Sequence, residues 1–469
     1  MIYLDKTQPV PLYKQLYSEI RRELDEGIYQ KRPLAPIRIL SRELGISRNT
    51  VSQAYQQLLA EGYIRSVPGS GYYQNDLGPL PVSRPEKTFS DAISPTKQKR
   101  AKYVFQYGSA ETAAFPWKTW KKCVCAALYE EEDEPLLEYQ DSQGYLPLRI
   151  ALADYLLASR GVHCIPEQIF ICGGTQDAVS MLAVLLPPEQ FRAGIEDPGY
   201  DGVRNSLLRC GYDPFPILVG SDGIAADVLE KSSCNLVYVT PSHQFPTGAI
   251  LPAAGRNRLI SIMSGRHGYI IEDDYDSEFQ YGLSSPIPSL QSLDQNGCVI
   301  YLGGLSKTFS PSLRLSYMVL PQTLLPLYHK KFSNYKNPVS DLIQRAFCAM
   351  LQSGDYLRHL RRISRRNERK YRLICNLLKD QDHIRPLLTG SGVYLLIRLK
   401  SRLTQSETIR YLQNHDIEIF PTSHYWCDPA QADPGLFLLG FASISPDDLE
   451  AGITQMIQVI NDSGLFEPV

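Results

Sequence analysis

In the N-terminal part of the chain, apolar residues recur at the spacing of amphipathic helices. The first predicted helix carries them on one face, at Leu12, Leu16, Ile20 and Leu24. A second, short helix is predicted from Ile39 to Leu44. Ser47 is a good N-cap for a third helix, and Gly62 can end it. The apolar stripe of this third helix is Val51, Ala54, Tyr55, Leu58 and Leu59.

The opposite face of the third predicted helix is polar and rich in hydrogen-bond donors. It carries Arg48, Asn49, Ser52, Gln53, Gln56 and Gln57. Two short segments, Tyr63 to Arg65 and Gly71 to Tyr73, then predict a two-stranded wing around Pro68-Gly69-Ser70. Donors at the start of a helix that follows a tight turn can read base edges in the major groove. The module is therefore predicted to bind DNA, and a plain three-helix packing domain is the alternative.

Farther along the chain, strand-like and helical patterns alternate from about residue 103 to residue 320. This alternation is typical of a mostly parallel sheet with helices on both faces. Residues 322–378 are helical and highly charged, and Gly392 to Leu399 and Leu436 to Phe441 predict strands. The predicted fold class is therefore multidomain. A winged helix-turn-helix module, mostly α with a β wing, precedes a large α/β domain that ends in a small C-terminal α+β subdomain.

The domain bounds follow from changes in composition. Residues 77–102 are rich in Pro, Ser and Lys without an apolar period, which predicts a tether. We therefore expect the DNA-binding module at 9–76, the linker at 77–102 and the large domain at 103–469. Within the large domain, the large subdomain is expected at about 135–325 and the small one at about 370–465.

Composition narrows the class of protein. The formal net charge of −2 gives no whole-chain signal for nucleic acid, but residues 9–75 hold nine Lys and Arg against six Asp and Glu. Ten cysteines without a C-x-x-C pair, and an N-terminus without a targeting pattern, predict a cytoplasmic protein with no zinc site. The longest apolar runs are too short to cross a membrane, so no membrane partner is expected.

Lys307 is the first candidate for covalent chemistry. The apolar run Cys298 to Leu302 predicts a buried strand that ends in Gly303-Gly304 and delivers Lys307 to the end of a sheet. Burial would lower the pKa of this lysine, and the neutral amine can attack a carbonyl to form a Schiff base. A solvent-exposed loop lysine is the alternative.

An acidic cluster follows another predicted strand, at Glu272 to Asp276. Carboxylates at a buried strand end need a positive partner. A pyridinium nitrogen paired with Asp273 meets this need, and Tyr275 can then hydrogen-bond the phenolate oxygen of the same ring. A site for a hard metal cation is the alternative, but the spacing does not match a calcium-binding loop.

Two further strand ends complete the candidate site. Ile169 to Asp177 reads as a strand, a glycine turn and a helix start, which together can bind an anion. The segment is neither a Walker loop nor a G-x-G-x-x-G motif, so a nucleotide is poorly supported. Tyr200 ends another strand-like run and can stack on a flat ring.

In this order, the motifs from about Tyr103 to the C-terminus resemble the fold-type I aminotransferases that use pyridoxal 5'-phosphate (PLP). The resemblance implies a Schiff base at Lys307 and pairing of Asp273 with the ring nitrogen. It also implies Tyr275 on the phenolate oxygen and Tyr200 over the ring. The implied phosphate contacts are Gly174, Thr175, Ser306 and Arg314.

The N-terminal module is similar to the GntR-type winged helix-turn-helix. The motifs that carry this similarity are Ser47-Arg48-Asn49-Thr50-Val51, Ala54-Tyr55, Leu58 and Glu61-Gly62-Tyr63. Ahead of the turn, the family's usual Leu-Pro-Ser-x-Arg-Glu-Leu is replaced by Leu34-Ala35-Pro36-Ile37-Arg38-Ile39-Leu40. The residues expected to contact DNA are Arg38, Ser47, Arg48, Asn49, Thr50, Ser52, Gln53, Arg65 and Gly69.

The two modules in this order resemble the MocR/GabR-type transcriptional regulators over nearly the whole chain. The resemblance implies a homodimer that binds double-stranded operator DNA at two half-sites. It also implies a small-molecule effector, either PLP or an amine or amino acid, that is sensed at Lys307.

Four positions depart from the aminotransferase pattern. Ser443 follows Gly-Phe-Ala where these enzymes carry an arginine for the substrate carboxylate, and Gly202 stands at the other basic position. Gly304 lies where a hydroxyl often binds the phosphate, and Phe245 lies where asparagine is usual. Without a bidentate cation a buried carboxylate is poorly bound, so we expect PLP itself or an amine without the usual carboxylate geometry as effector. Candidates for a replacement cation are Arg398 and His424.

Three functions are compatible with these observations. The first is a PLP-dependent transcriptional regulator, and the second is an active PLP-dependent aminotransferase with an appended DNA-binding module. The third is a DNA-binding protein whose large domain only dimerises. Lys307, Asp273 and Tyr275 argue against the third function, and the missing carboxylate-binding arginines argue against ordinary transamination.

Overall fold

The computed structural model describes residues 2, 4–30, 32–76, 101–108, 111–129, 138–281, 287–387 and 389–469. The chain divides into two compact units, Met1–Thr96 and Lys97–Val469. Residues 77–100, which make up most of the predicted linker, lie outside the described residues. Within the described ranges, no helix combines the length and apolar character needed to cross a membrane.

The N-terminal unit contains the predicted three helices and wing. Its elements are α1 (Leu12–Asp25), α2 (Ile37–Glu43), α3 (Arg48–Ala60), β1 (Ile64–Val67) and β2 (Gly71–Gln74). The two strands pair in antiparallel fashion. Helix α2 starts directly after Pro36 without a side-chain cap, and the hydroxyl of Tyr55 donates to the carbonyl of Ala35, 2.7 Å away. This bond from α3 holds the segment that leads into α2.

The C-terminal unit holds the remaining elements. Its helices are α4 (Trp117–Tyr129), α5 (Leu146–Arg160), α6 (Thr175–Leu185), α7 (Asp201–Arg209), α8 (Ala226–Lys231), α9 (Ala253–Gly265), α10 (Leu325–Lys331), α11 (Asp341–Gln352), α12 (Asp355–Leu378), α13 (Gln405–Asn414) and α14 (Pro446–Asp462). Its strands are β3 (Tyr103–Val104), β4 (Ile169–Cys172), β5 (Ala193–Asp197), β6 (Phe215–Gly220), β7 (Gly223–Ile224), β8 (Leu236–Val239), β9 (Tyr269–Asp274), β10 (Val299–Gly304), β11 (Ser316–Val319), β12 (Ile384–Leu387), β13 (Tyr394–Ser401), β14 (Ile417–Glu418), β15 (Phe420–Pro421), β16 (Leu436–Gly440) and β17 (Phe466–Glu467).

The large sheet has eight strands in the order β4-β11-β10-β9-β8-β5-β6-β7. Strands β10, β9, β8, β5 and β6 run parallel, whereas β11 is antiparallel to both of its neighbours, β4 and β10. The carboxyl ends of the parallel strands therefore meet at one edge of the sheet. In the register of β9 with β10, Asp273 lies opposite Leu302.

Helices cover both faces of this sheet, as predicted. Alternate residues of a strand face opposite sides, and Ile169 and Ile171 of β4 pack in a core with α5, α11 and α12. Phe170 and Cys172 of the same strand pack in the core with α6, α7 and α10. A third cluster joins α8 and α9 to the central strands. All residues of β8 are buried, which is typical of a central parallel strand.

The predicted small subdomain is a separate antiparallel sheet. Strands β12, β13, β16 and β15 pair in that order, and β17 pairs with the end of β13. The long helix α12 presents Arg361 and Arg365 to solvent, as expected for a charged helix face. Lys370 on the same helix is buried, with 1% of its surface exposed. One side of the charged helix therefore turns toward the protein interior.

Candidate functional site

A cavity of about 370 Å³ opens at the carboxyl ends of β9 and β10. The sequence-predicted cofactor residues that line it are Lys307, Asp273, Tyr275, Tyr200, Gly174, Thr175, Ser306 and Arg314. The structure thus brings all eight together, although in the sequence they extend from Gly174, just after β4, to Arg314, just before β11. Tyr107, Gln176, Tyr238, Thr240 and Ser316 also line the cavity and were not predicted.

Lys307 follows β10 and its amine lies inside the cavity. Its Nζ is 3.8 Å from the centre of the Tyr107 ring. A Cβ at Gly108, whose φ is +97°, would lie 3.0 Å from the same Nζ, so glycine leaves room for the amine. Burial lowers the pKa of Lys307 to about 8, although the negative charges of Asp276 and Asp273 oppose this shift. About a tenth of this amine is therefore neutral at pH 7, far more than for a lysine in water.

Asp273 lies near the end of β9 and is buried beside the cavity. The Tyr238 hydroxyl donates to its Oδ2 at 2.6 Å, and burial raises the pKa of this carboxyl to about 6. Among the described residues, Asp273 has no cationic partner within ion-pair distance. A buried carboxylate without a counterion is costly. Its surroundings therefore fit a ligand that brings a protonated nitrogen to this wall.

Tyr275 belongs to a hydrogen-bonded group that sequence patterns did not reveal. Its hydroxyl lies 3.1 Å from Nδ1 of His243 and 3.4 Å from the hydroxyl of Tyr394. Both carboxylate oxygens of Asp276 lie within 3.0 Å of the same His243 nitrogen. Burial raises the pKa of Tyr275, so its hydroxyl stays protonated and can donate to an acceptor in the cavity.

The three aspartates at the end of β9 and just beyond it have different surroundings. Asp274 accepts a hydrogen bond from Nε of Arg160 at 2.6 Å and another from the hydroxyl of Tyr301 at 2.7 Å. Asp276 pairs with His243, and Asp273 lines the cavity. Within the described part of the chain, no group of three or more His, Cys, Asp or Glu side chains is arranged to hold a metal ion.

The opposite end of the cavity is suited to an anion. Helix α6 begins at Thr175, and Gly174 before it provides no side-chain cap for the free amides of the first turn. A Cβ at Gly174 would lie 2.5 Å from Nη2 of Arg314, so glycine lets the guanidinium reach the helix start. These donors fit a phosphate.

The hydroxyl that Gly304 lacks is present on the neighbouring strand. Ser316 of β11 pairs directly with Gly304 of β10 and lines the cavity. A Cβ at Gly304 would lie 2.8 Å from Oγ of Ser316. The antiparallel strand thus fills, with its own hydroxyl, the space beside a position where aminotransferases often carry one.

Aromatic rings form the remaining wall. Phe245 packs against the rings of Tyr200, Tyr275, Tyr394 and Tyr425, with ring centres between 4.7 and 6.1 Å apart. Hydrophobic packing therefore replaces the amide of the asparagine that aminotransferases usually carry at this position.

Gly202 is also explained by packing around Tyr200. A Cβ at residue 202 would lie 2.5 Å from Cζ of Tyr200 and 2.7 Å from Nε2 of Gln176. No side chain fits at position 202 while the Tyr200 ring occupies its place. The absence of an arginine here is therefore a condition for the observed position of Tyr200.

The two candidates for a replacement cation do not line the cavity. Arg398 lies on β13 and pairs with Asp433 at 2.9 Å, with 44% of its side chain exposed. Its proposed role as a carboxylate ligand is wrong, because its side chain lies on the solvent side of the small sheet. His424 is half-buried next to Arg204, which donates to the His424 carbonyl at 2.8 Å.

The residues predicted to contact DNA lie on or near α2, α3 and the wing. Those exposed to solvent are Arg38, Ser47, Arg48, Asn49, Gln53, Arg65 and Gly69, while Thr50 and Ser52 are partly buried. The Ser47 hydroxyl accepts from the amide of Thr50 at 3.1 Å, so it caps α3. Arg65 donates to the Gln74 carbonyl and to Asn75, both at 3.1 Å, across the wing.

The fold and the cavity define an aminotransferase-type domain preceded by a winged helix-turn-helix module. Residues 12–73 match the family described as bacterial regulatory proteins, gntR family, and residues 113–455 match aminotransferase class I and II. The second match implies dependence on PLP.

Individual relatives agree with this architecture. The uncharacterized HTH-type transcriptional regulator YdeL of Bacillus subtilis (strain 168) is 34% identical over 97% of this chain and 98% of its own length. The probable rhizopine catabolism regulatory protein MocR of Rhizobium meliloti is 34% identical over 97% of this chain and 95% of its own. The chain therefore belongs to the HTH-type transcriptional regulators of the MocR type.

Among solved structures, the chain is similar to LysN, an alpha-aminoadipate aminotransferase from Thermus thermophilus. The TM-score is 0.67 at 24% sequence identity, and the match covers 76% of this chain and 92% of that one. This similarity shows the fold of the C-terminal unit.

Proposed function

We propose that this regulator binds operator DNA through its N-terminal unit and binds PLP at Lys307, where it senses PLP itself or an amine. The observation that carries the proposal is the convergence of Lys307, Asp273, Tyr275 and Arg314 on one cavity. A chain that used its large domain only to dimerise would have no need for a buried lysine with a lowered pKa facing a buried carboxylate.

Each group in the cavity has a distinct part in the proposed site. When bound, PLP supplies an electrophilic carbonyl and an electron-withdrawing ring. Lys307 would present the amine, and Asp273 would hold a proton on the ring nitrogen. Tyr275 would donate to the phenolate oxygen, and Tyr200 would pack over the ring. The phosphate is proposed to lie at the start of α6, between Thr175, Ser306 and Arg314, as a helix N-terminus and a guanidinium favour.

The proposed effector is PLP or an amine without the usual carboxylate geometry. Neither Ser443 nor Gly202 can clamp a carboxylate, and Arg398 lies outside the cavity. A regulator needs only a ligand that binds one conformation better than another, so turnover is unnecessary. We further propose a cytoplasmic homodimer on an operator with two half-sites. Sedimentation at micromolar concentration should therefore show a dimer.

Absorbance spectroscopy combined with operator titration tests the proposal. We expect the protein to show the visible absorbance of bound PLP, and a candidate amine to change both this spectrum and the affinity for operator DNA. GABA, glutamate and alanine should change the spectrum only weakly. A preparation that stays colourless after addition of PLP would rule out the proposed function.

The start of α3 should contribute strongly to DNA affinity. We expect Arg48→Ala or Arg38→Ala to weaken operator binding by about 1–3 kcal/mol if the arginine reads a base, or to flatten the salt dependence by about one unit if it contacts phosphate. Fluorescence anisotropy with labelled operator at several salt concentrations distinguishes these outcomes. Arg22→Ala, an exposed arginine on α1, is the matched control, and an equal loss in this variant would contradict the assignment.

Capture of PLP by the apo protein should depend on pH through Lys307. With its pKa at about 8, roughly a tenth of the amine is neutral at pH 7 and half at pH 8, so the rate should rise about fivefold. Stopped-flow absorbance after mixing with PLP measures this rate. In Asp276→Asn the profile should move to lower pH, because the charge of Asp276 is the main influence that raises the Lys307 pKa. A midpoint near pH 10 would show that Lys307 is solvated.

A further inference from the structure

A buried ion cluster lies beside the end of β16. The carboxylate of Glu111 accepts two hydrogen bonds from Arg366 of α12, from Nε at 2.7 Å and from Nη2 at 2.5 Å. Nζ of Lys370, one turn farther along α12, donates to the same carboxylate at 2.8 Å and to the carbonyl of Ala442 at 3.0 Å. Only 8% of Glu111 and 1% of Lys370 are exposed. Glu111 and Lys370 are therefore withdrawn from water, whereas 39% of the Arg366 side chain is exposed.

This cluster borders a small cavity that Lys307 also lines. Its walls include Glu111, Arg366 and Ala442, together with the apolar side chains of Phe115 and Ile363. The open volume of about 30 Å³ has room for roughly one or two water molecules. A second carboxylate cannot enter this space while Glu111 occupies it.

The donors of the cluster form a complete carboxylate site. A planar guanidinium binds both oxygens of Glu111, and an ammonium group binds one of them again, which is the pattern preferred for carboxylate recognition. Two cations surround a single anion, and the site lies directly before Ser443, where aminotransferases carry an arginine for this purpose. Stability alone explains the Glu111–Lys370 pair poorly, since both side chains are buried and a buried ion pair is seldom more stable than apolar packing.

We propose that Glu111 is an internal carboxylate that fills this two-cation site. Its presence makes the binding site at Lys307 select amines that lack a carboxylate. The inference rests on the proposed function and names the substrate class of the same site. A ligand amine at Lys307 with a carboxylate on its arm meets the charge of Glu111 and finds both cations occupied. A ligand with an uncharged arm does not meet this repulsion.

Replacement of Glu111 should convert the cluster into an open anion site. In Glu111→Ala, Arg366 and Lys370 lose their counterion, and an added carboxylate should take its place. Acetate should therefore raise the melting temperature of this variant, in a saturable manner, by more than it raises that of the wild type. The double variant Glu111→Ala/Lys370→Met should lose this response, because the buried ammonium is removed.

Ligand preference provides the second readout. GABA and n-butylamine have chains of similar length and differ in the carboxylate. The PLP-loaded wild type should respond spectrally to n-butylamine at lower concentrations than to GABA. In Glu111→Ala the half-effect concentration of GABA should fall at least tenfold relative to that of n-butylamine, which corresponds to about 1.4 kcal/mol. Glu111→Gln, which keeps the shape of the side chain, should shift the preference in the same direction if Glu111→Ala does not fold.

The outcomes separate the two proposals. Acetate stabilisation is measured on the apo protein, so it tests the cluster even if the wild type fails to bind PLP. Equal acetate responses in wild type, Glu111→Ala and the double variant, with an unchanged GABA to n-butylamine ratio, would show that Glu111 serves only to hold its segment against α12. A colourless wild type would instead overturn the proposed function and leave the acetate result standing by itself.

Discussion

Lys307→Ala is expected to abolish the visible absorbance of bound PLP and the response of operator binding to effector. The reason is that this lysine carries the amine with a lowered pKa inside the cavity. Operator affinity without effector should stay within about twofold of the wild type, because the DNA-binding residues belong to a separate compact unit. Absorbance spectra and anisotropy titrations on the same preparations measure both quantities.

Lys330→Ala is a suitable control, since Lys330 is an exposed lysine near the end of α10. It should leave the spectrum and the effector response unchanged. Borohydride reduction followed by peptide mass spectrometry should place PLP on the peptide that contains Lys307 in both the wild type and the control. Loss of operator binding in Lys307→Ala would contradict the assignment of DNA binding and PLP binding to separate units.

Asp273→Asn is expected to weaken PLP binding about 10- to 100-fold, because a charged hydrogen bond to a ring nitrogen contributes about 1.5–3 kcal/mol. The apo protein should not lose stability. Burial raises the pKa of Asp273 to about 6, so its ionised form lowers the stability of the fold at pH values above 6, and an amide removes this charge. Titration with PLP and denaturant unfolding of the apo protein measure the two effects separately.

Asp274, the next residue of β9, is expected to show the opposite pattern, with a large effect on stability and a small one on PLP affinity. Asp274→Asn breaks the buried pair with Arg160 and should lower the free energy of unfolding by about 3 kcal/mol. Its effect on PLP affinity should be small by comparison, since Asp274 does not line the cavity. If Asp274→Asn weakens PLP binding more than Asp273→Asn does, the wrong carboxylate has been assigned to the ring nitrogen.

The convergence of Lys307, Asp273 and Tyr275 could be predicted because it depends on local patterns. Short apolar runs marked β9 and β10, and their carboxyl ends must meet at one edge if the strands are parallel. The helices and wing of the N-terminal unit were accessible for the same reason. Turns and helical periodicity depend on residues that are close together in the sequence.

Contacts between residues far apart in sequence could not be predicted in this way. Ser316 reaches the cavity only because β11 inserts in antiparallel fashion between β4 and β10, and no local pattern states this pairing. The pairing of His243 with Asp276, and of Glu111 with Lys370, likewise joins segments that fold together only in the complete domain. Arg398 was misplaced because the pattern of a short strand does not show which of its faces meets solvent.

The close fit between Gly202 and the ring of Tyr200 constrains how this regulator can diversify. A Cβ at position 202 would lie 2.5 Å from the tyrosine ring, so any larger residue there requires the ring to move. A change at position 202 therefore also changes the wall that Tyr200 forms in the cavity. The two positions are thus coupled, and we expect the effect of an arginine at position 202 on ligand binding to depend on which residue stands at position 200.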